Sequence, residues 1–275
     1  MGVSRGRSEK MLKSRKVSML TSVKRKVKKA VQNIPNLIQG YNIYVNRNKL
    51  HLIDSVYKDH FPGAKSFVDL GGVWKVNAAY TIHTLKKPNI IKGTIIDTDY
   101  PDSIKKKLSA YKNLNIITGD FTGQRNIDAI GKVDVAYFFD VLLHQANPDW
   151  DEVLRRYAAC CSCMVVYNQQ FTQSEETVRL IDLPFEEYIE LASDYRKEFY
   201  RYVFDHKNEI HPEFKKPWKD IHNITQWGIT DKGLRTVMQR LGFQEIYFKN
   251  YGIFIDLPAF ENHAFVFMKK QALSK

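Results

Sequence analysis

The sequence predicts an α/β fold: a doubly wound, mostly parallel seven-stranded sheet with an antiparallel C-terminal hairpin, a helical lid insertion and a basic N-terminal helical extension. Three observations predict it. Between residues 66 and 167 short apolar runs alternate with amphipathic stretches at β-α spacing. Residues 173–227 break that rhythm with a stretch rich in Glu, Tyr, Phe and Arg. The first 35 residues carry eleven Lys and Arg against the single acid Glu9.

In the arm, Val17, Leu20, Val23, Val27, Val31 and Ile34 recur at steps of three and four with lysines between them, the pattern of an amphipathic basic helix. Pro35 and Gly40 break it. Residues 48–60 read as a further helix running into the turn Phe61-Pro62-Gly63. Strands follow at Ser66–Leu70, Gly93–Asp97, Asn115–Thr118, Val133–Phe139 and Cys163–Tyr167, with helices at Asn77–Leu85, Asp102–Tyr111 and Trp150–Ala158. After the insertion, Thr230 is placed to cap a helix that runs to Leu241 and stops at Gly242. Strands near Gln244–Lys249 and His263–Met268 close the sheet. The expected division is an extension over 1–45, a core over 46–172, a lid over 173–227 and a completing segment over 228–275.

Hydrophobic residues at 44% and charged residues at 26% fit a soluble globular chain, and no run of about eighteen apolar residues suggests a membrane span. No secretory leader is expected, and Gly6 stands where N-myristoylation needs Ser or Thr. Cys160, Cys161 and Cys163 are too tightly spaced for structural zinc and read as buried strand thiols, so no metal is expected and a reducing cytoplasm is. All but +2 of the net charge of +12 sits in the arm. The nearly neutral body makes nucleic acid the weaker partner. Three readings of residues 10–34 stay open: an arm on an anionic membrane surface, an arm on RNA, and a helix docked on its own domain.

Carboxylates recur where strands end: Asp69 in the first, Asp97 ending the second, Asp120 after the third and Asp140 after the fourth. Right-handed crossovers bring these ends to one edge, where such sheets bind ligands. At a strand-to-helix turn, Gly71 and Gly72 let backbone approach a ligand. Asp97 is suited to paired ribose hydroxyls, and Asp120 with Phe121 to an adenine amine and ring face. Each acid alone is more often a helix cap or a solvated loop residue. Four at successive strand ends make that reading harder to sustain.

Residues 64–170 and 227–269 resemble the class I S-adenosylmethionine-dependent methyltransferases, whose fold is Rossmann-like. Asp69-Leu70-Gly71 matches the start of that family's first motif, Asp97 its ribose acid, Gly119-Asp120-Phe121 its adenine turn and Phe138-Phe139-Asp140-Val141-Leu142-Leu143-His144 its post-β4 motif. Trp227-Gly228-Ile229-Thr230 and Leu241-Gly242-Phe243 look like its last helix and the strand after it. The family's later glycines fall at Val73 and Lys75 here, so the first motif is incomplete. Gly72 could compensate for them, and Trp74 could wall the pocket.

The resemblance implies S-adenosylmethionine as cofactor, held by Asp69, Gly71, Gly72, Trp74, Asp97, Asp120, Phe121 and Asp140. His144 at the same edge is the candidate general base, or else a backbone or cofactor contact. Asp140 and His222 complete the candidate catalytic set. Asn168, Gln169, Gln170, His222 and Asn223 are candidate acceptor contacts and suit a saccharide or another polar small molecule. Methylation of RNA through the arm, or a non-catalytic interaction module, are the competing functions. A nicotinamide-dependent oxidoreductase is disfavoured because no G-x-G-x-x-G follows the first strand.

Overall fold

The computed structural model describes residues 45–192, 196–222 and 224–270. The basic arm up to residue 44, and Asn223, lie outside the described residues. The chain enters through α1 (Arg47–Ser55), whose N-cap Asn46 accepts the Asn48 amide at 2.8 Å, and continues in a wider turn to His60. The core then runs β1 (Ser66–Leu70), α2 (Ala79–Leu85), β2 (Lys92–Asp97), α3 (Asp102–Leu108), β3 (Leu114–Thr118), α4 (Gln124–Ile130), β4 (Val133–Phe139), α5 (Trp150–Ala158) and β5 (Cys161–Phe171). The insertion contributes β6 (Val178–Arg179), α6 (Phe185–Leu191), α7 (Lys197–Asp205) and β7 (Trp227–Gly228). The chain closes with α8 (Asp231–Arg240), β8 (Phe243–Phe254) and β9 (Leu257–Lys269).

The large sheet has the order β3-β2-β1-β4-β5-β9-β8. Its first five strands are parallel, and β9 runs antiparallel to both β5 and β8. Strands β1, β4 and β5 are buried on both faces, which is why they read as continuous apolar runs. On one face Val68, Phe138 and Val166 pack against α5 and α8. On the other, Phe67, Tyr137 and Tyr167 pack against α1 and Tyr80 of α2. The order reverses between β1 and β4, the switch point at which ligands enter open parallel sheets.

The structure differs from the sequence reading at several boundaries. Helix α2 begins at Ala79 because Asn77 and Ala78 have φ of +53° and +59°. Helix α4 was not expected; its seven residues bury only Ile127 and Ile130, too few for a periodic signal. Strand β5 runs on through Asn168, Gln169 and Gln170, so these amides are buried strand residues. The hairpin strands are also longer than expected, and irregularities in their register absorb the extra length. Thr230 caps α8 by accepting the Gly233 amide at 3.1 Å.

The ends of the insertion are joined by β6 pairing with β7, and its helices share an apolar cluster with Leu143 and with Phe260 of β9. It therefore packs on the turn that follows β4. The three cysteines are free, with Cys161 and Cys163 buried and their thiol pKa values pushed up by burial. Among the described residues no helix is long and apolar enough to cross a membrane.

Candidate functional site

The parallel strands bring Asp69, Asp97, Asp120 and Asp140 to the same end of the sheet. Asp69 is buried and accepts the Thr81 hydroxyl at 2.5 Å, while burial raises its pKa to about 6. A Cβ on Gly72 would stand 2.5 Å from Asp69 Oδ2, so a side chain there would displace the Asp69 carboxylate. Gly71 has φ +69° and donates its amide to the Ile96 carbonyl at 2.8 Å. The loop after β1 is thereby tied to β2.

Asp97 receives that loop. Its Oδ2 accepts the amides of Val73 at 2.9 Å and Trp74 at 3.2 Å, and its Oδ1 accepts the Thr98 amide at 2.8 Å. The loop then folds back, with the Asn77 amide on the Val73 carbonyl and the Ala78 amide on the Gly72 carbonyl. Lys75, Asn77 and Ala78 all have positive φ, a conformation costing a non-glycine residue roughly 1–2 kcal/mol. The sequence lacks the later glycines of the first motif, yet Lys75 holds a glycine-like backbone. The Trp74 side chain is 70% exposed, with the Lys75 ammonium 4.2 Å from its ring centroid.

Asp120 Oδ1 accepts both the amide and the hydroxyl of Thr122 at 2.8 Å. The Gly119 amide bonds the Asp97 carbonyl at 2.9 Å, joining the ends of β2 and β3. The Phe121 ring is half-buried, and its carbonyl accepts the Tyr157 hydroxyl at 2.7 Å.

Asp140 has φ +56°, and both its oxygens are engaged. Oδ1 accepts Gln169 Nε2 at 2.8 Å, and Oδ2 pairs with the ammonium of Lys49. Gln169 Nε2 also reaches Asn262 Oδ1 at 3.2 Å. A polar row, buried at Gln169 and Asn262 and half-exposed at Asp140, therefore crosses the ends of β4, β5 and β9. Asn168 and Gln170 point to the opposite face of the sheet from Gln169, since neighbouring strand residues alternate. Both side-chain polar atoms of Gln170, and Asn168 Oδ1, are buried without a hydrogen-bond partner among the described residues.

His144 ends the 3-10 turn Leu142–His144, and its Nδ1 lies 2.8 Å from the Ile224 carbonyl. A carbonyl only accepts, so Nδ1 carries the proton and Nε2 carries the lone pair. Burial holds the His144 pKa below its ordinary value. His222 donates from Nδ1 to the His144 carbonyl at 3.2 Å and accepts the Lys216 ammonium at Nε2, also at 3.2 Å. Burial, and then the Lys216 charge, lower its pKa as well. The insertion thus grips His144 through its backbone on one side and its ring on the other.

Sequence reasoning missed Lys49 and Asn262. Lys49 was read only as part of a helix, although Leu52, Ile53 and Val56 follow it at steps of three, four and seven. That spacing puts the lysine on the buried stripe of α1. Asn262 had no comparable signal, because its place beside Gln169 depends on the long-range register of β5 with β9.

No protein-family profile and no curated protein matches the sequence. Solved structures do resemble it. The N-terminal domain of EvdMO1 with S-adenosylhomocysteine bound superposes with a TM-score of 0.52 at 12% identity, over 82% of each chain. The same domain in the presence of S-adenosylhomocysteine and D-fucose gives 0.52 at 12% identity, over 90% of this chain and 96% of that one. The 1,6-didemethyltoxoflavin-N1-methyltransferase of Burkholderia thailandensis gives 0.50 at 10% identity, over 80% of this chain and 78% of that one. The likeness is one of fold: the chain has the Rossmann-like fold of the class I methyltransferases.

Proposed function

We propose that the chain is an S-adenosylmethionine-dependent methyltransferase that methylates a hydroxyl of a saccharide or another polar small molecule. The observation that carries this reading is the set of four acids at the ends of β1 to β4. The donor set fits a nucleoside with a cationic tail. Asp97 would take ribose, Asp120 and Phe121 adenine, and Gly71, Gly72, Trp74, Asp69 and Asp140 would border the methionine end. When bound, S-adenosylmethionine supplies an electrophilic methyl group on a sulfonium.

The chain's own residues would orient the acceptor and remove its proton. His144 is held neutral near pH 7 by burial, with Nε2 left as the proton acceptor by the Ile224 carbonyl. His222 would fix the His144 backbone and, with Asn223, meet a hydroxyl-rich acceptor, joined by Asn168 and Gln170 from one face of β5 or by Gln169 from the other. The EvdMO1 domain was crystallised in the presence of D-fucose, which supports a sugar acceptor. Residues 10–34 would bring the enzyme to an anionic membrane surface on its cytoplasmic side, where a lipid-linked acceptor would meet it.

One observation favours a second reading, a non-catalytic relative of the same fold. Val73, Trp74 and Thr98 already take most of the acceptor capacity of Asp97, so the loop must yield before two ribose hydroxyls can bind. Methyl-labelled S-adenosylmethionine incubated with the full chain and a panel of saccharides and polar alcohols separates the two. Label on an acceptor, lost in His144→Ala while S-adenosylhomocysteine still binds, is the expected result. Binding without transfer to any acceptor would favour the module.

A further inference from the structure

The most unusual group at the rim is a lysine. Lys49 is 4% exposed, yet its side chain ends in an ammonium. Taking such a charge out of water is costly unless it is paired, so its surroundings show what the place is built to hold. The Asp140 carboxylate pairs with it directly. Three rings surround it: Tyr167 with its centroid 4.9 Å away, Tyr80 at 5.6 Å and Phe139 at 5.7 Å. Aromatic faces around a carboxylate suit an organic cation, because ring quadrupoles attract positive charge without needing hydrogen bonds from it.

The cage is held by connections of its own. The Asn46 amide donates to the Tyr80 hydroxyl at 2.8 Å, and Asn46 Nδ2 donates to the Tyr167 hydroxyl at 3.2 Å. The first turn of α1 is thereby pinned to the two tyrosines whose rings receive Lys49. Gln169 fixes the other oxygen of Asp140. The cage also stands at the switch point between β1 and β4, beside buried Asp69. It lies where the cationic end of a methyl donor would sit.

We infer that Tyr80, Phe139, Tyr167 and Asp140 form a binding cage for the sulfonium of the methyl donor, filled in the ligand-free chain by the chain's own Lys49. The inference presupposes the methyl-donor site proposed for this rim. In the free chain Lys49 neutralises Asp140 and keeps the cage closed. Entry of the donor hands Asp140 and the ring faces from one cation to another, and the Lys49 side chain swings out while Asn46 keeps the start of α1 on the two tyrosines. No bond is made or broken in the exchange. S-adenosylhomocysteine, a neutral thioether, has no charge to offer Asp140 and leaves Lys49 paired with it.

The donor and its demethylated product therefore test the cage without any acceptor. Calorimetry on full-length wild type, Lys49→Met and Lys49→Arg gives the ratio of affinities for S-adenosylmethionine over S-adenosylhomocysteine. Lys49→Met, which leaves Asp140 unpaired, is expected to raise that ratio about tenfold, the worth of roughly 1.4 kcal/mol. Lys49→Arg keeps a cation in place and is expected to stay within about twofold of wild type. A ratio unchanged in Lys49→Met, with S-adenosylhomocysteine still bound, overturns the cage.

Because Lys49→Met could unfold, wild type supplies a second measurement. Mass-spectrometric footprinting with an amine-acetylating reagent is expected to find Lys49 protected in the free chain and modified once S-adenosylmethionine saturates it. Protection that persists at saturation also overturns the cage. Failure of wild type to bind S-adenosylhomocysteine would count against the methyltransferase reading itself, and the cage assignment would fall with it.

Discussion

The backbone amide of Val73 lies 2.9 Å from Oδ2 of Asp97, so the loop after β1 is anchored to the carboxylate that ends β2. The Trp74 amide shares that oxygen. The loop therefore rests on the acid expected to bind ribose, and its conformation and the availability of Asp97 change together.

That closed loop is strained at Lys75, whose φ of +59° suits glycine. Lys75→Gly is expected to raise stability by about 1 kcal/mol, the left-handed penalty less the extra freedom of glycine in the unfolded chain. Urea unfolding checks this. A loss of stability would mean that contacts of the lysine side chain outweigh the backbone strain.

Burial raises the Asp69 pKa from 3.8 to about 6. Below pH 3.8 the group is protonated whether the chain is folded or not. Between pH 3.8 and 6 the folded chain keeps a proton that the unfolded chain has released, so the cost of burying the group grows as the pH rises. Above pH 6 the folded chain bears the full cost of a buried carboxylate, roughly 3 kcal/mol at about 1.4 kcal/mol per pH unit. Asp69→Asn is therefore expected to stabilise the protein at pH 8 and by about half as much at pH 5. Thermal melts of both proteins at the two pH values measure the difference. Equal effects at both would show that Asp69 does not titrate in this window.

Burial lowers the His144 pKa, so a base at this position loses its proton below the ordinary histidine range. With the first acceptor that turns over, the acid limb of kcat/KM is expected below pH 6.5. His144→Ala is expected to cost about 10²- to 10⁴-fold in kcat, with S-adenosylhomocysteine affinity within about threefold of wild type. Parallel losses of turnover and affinity would make the ring a cofactor contact.

Much of the fold was legible because its signals are local. Val68, Phe138 and Val166 sit in apolar runs bounded by turns, and the acids at 69, 97, 120 and 140 fall at the ends of those runs. What escaped depends on contacts distant in sequence. Lys49 meets Asp140 across 91 positions, and Gln169 meets Asn262 across 93. Nor could a motif comparison reveal that Lys75 adopts the conformation of the glycine it replaces, because backbone angles follow from the whole loop. Helix α4 escaped for a different reason: two buried residues in seven leave no period to read.

Titration calorimetry of the full chain with S-adenosylhomocysteine, wild type beside Asp97→Ala, goes straight to the proposed nucleoside site. Wild type is expected to bind one equivalent with a Kd of about 1–100 μM, corresponding to roughly 5–8 kcal/mol, and the variant at least about tenfold more weakly. No binding by wild type, or equal binding by a folded Asp97→Ala protein, would contradict a nucleoside held by the acids of this rim.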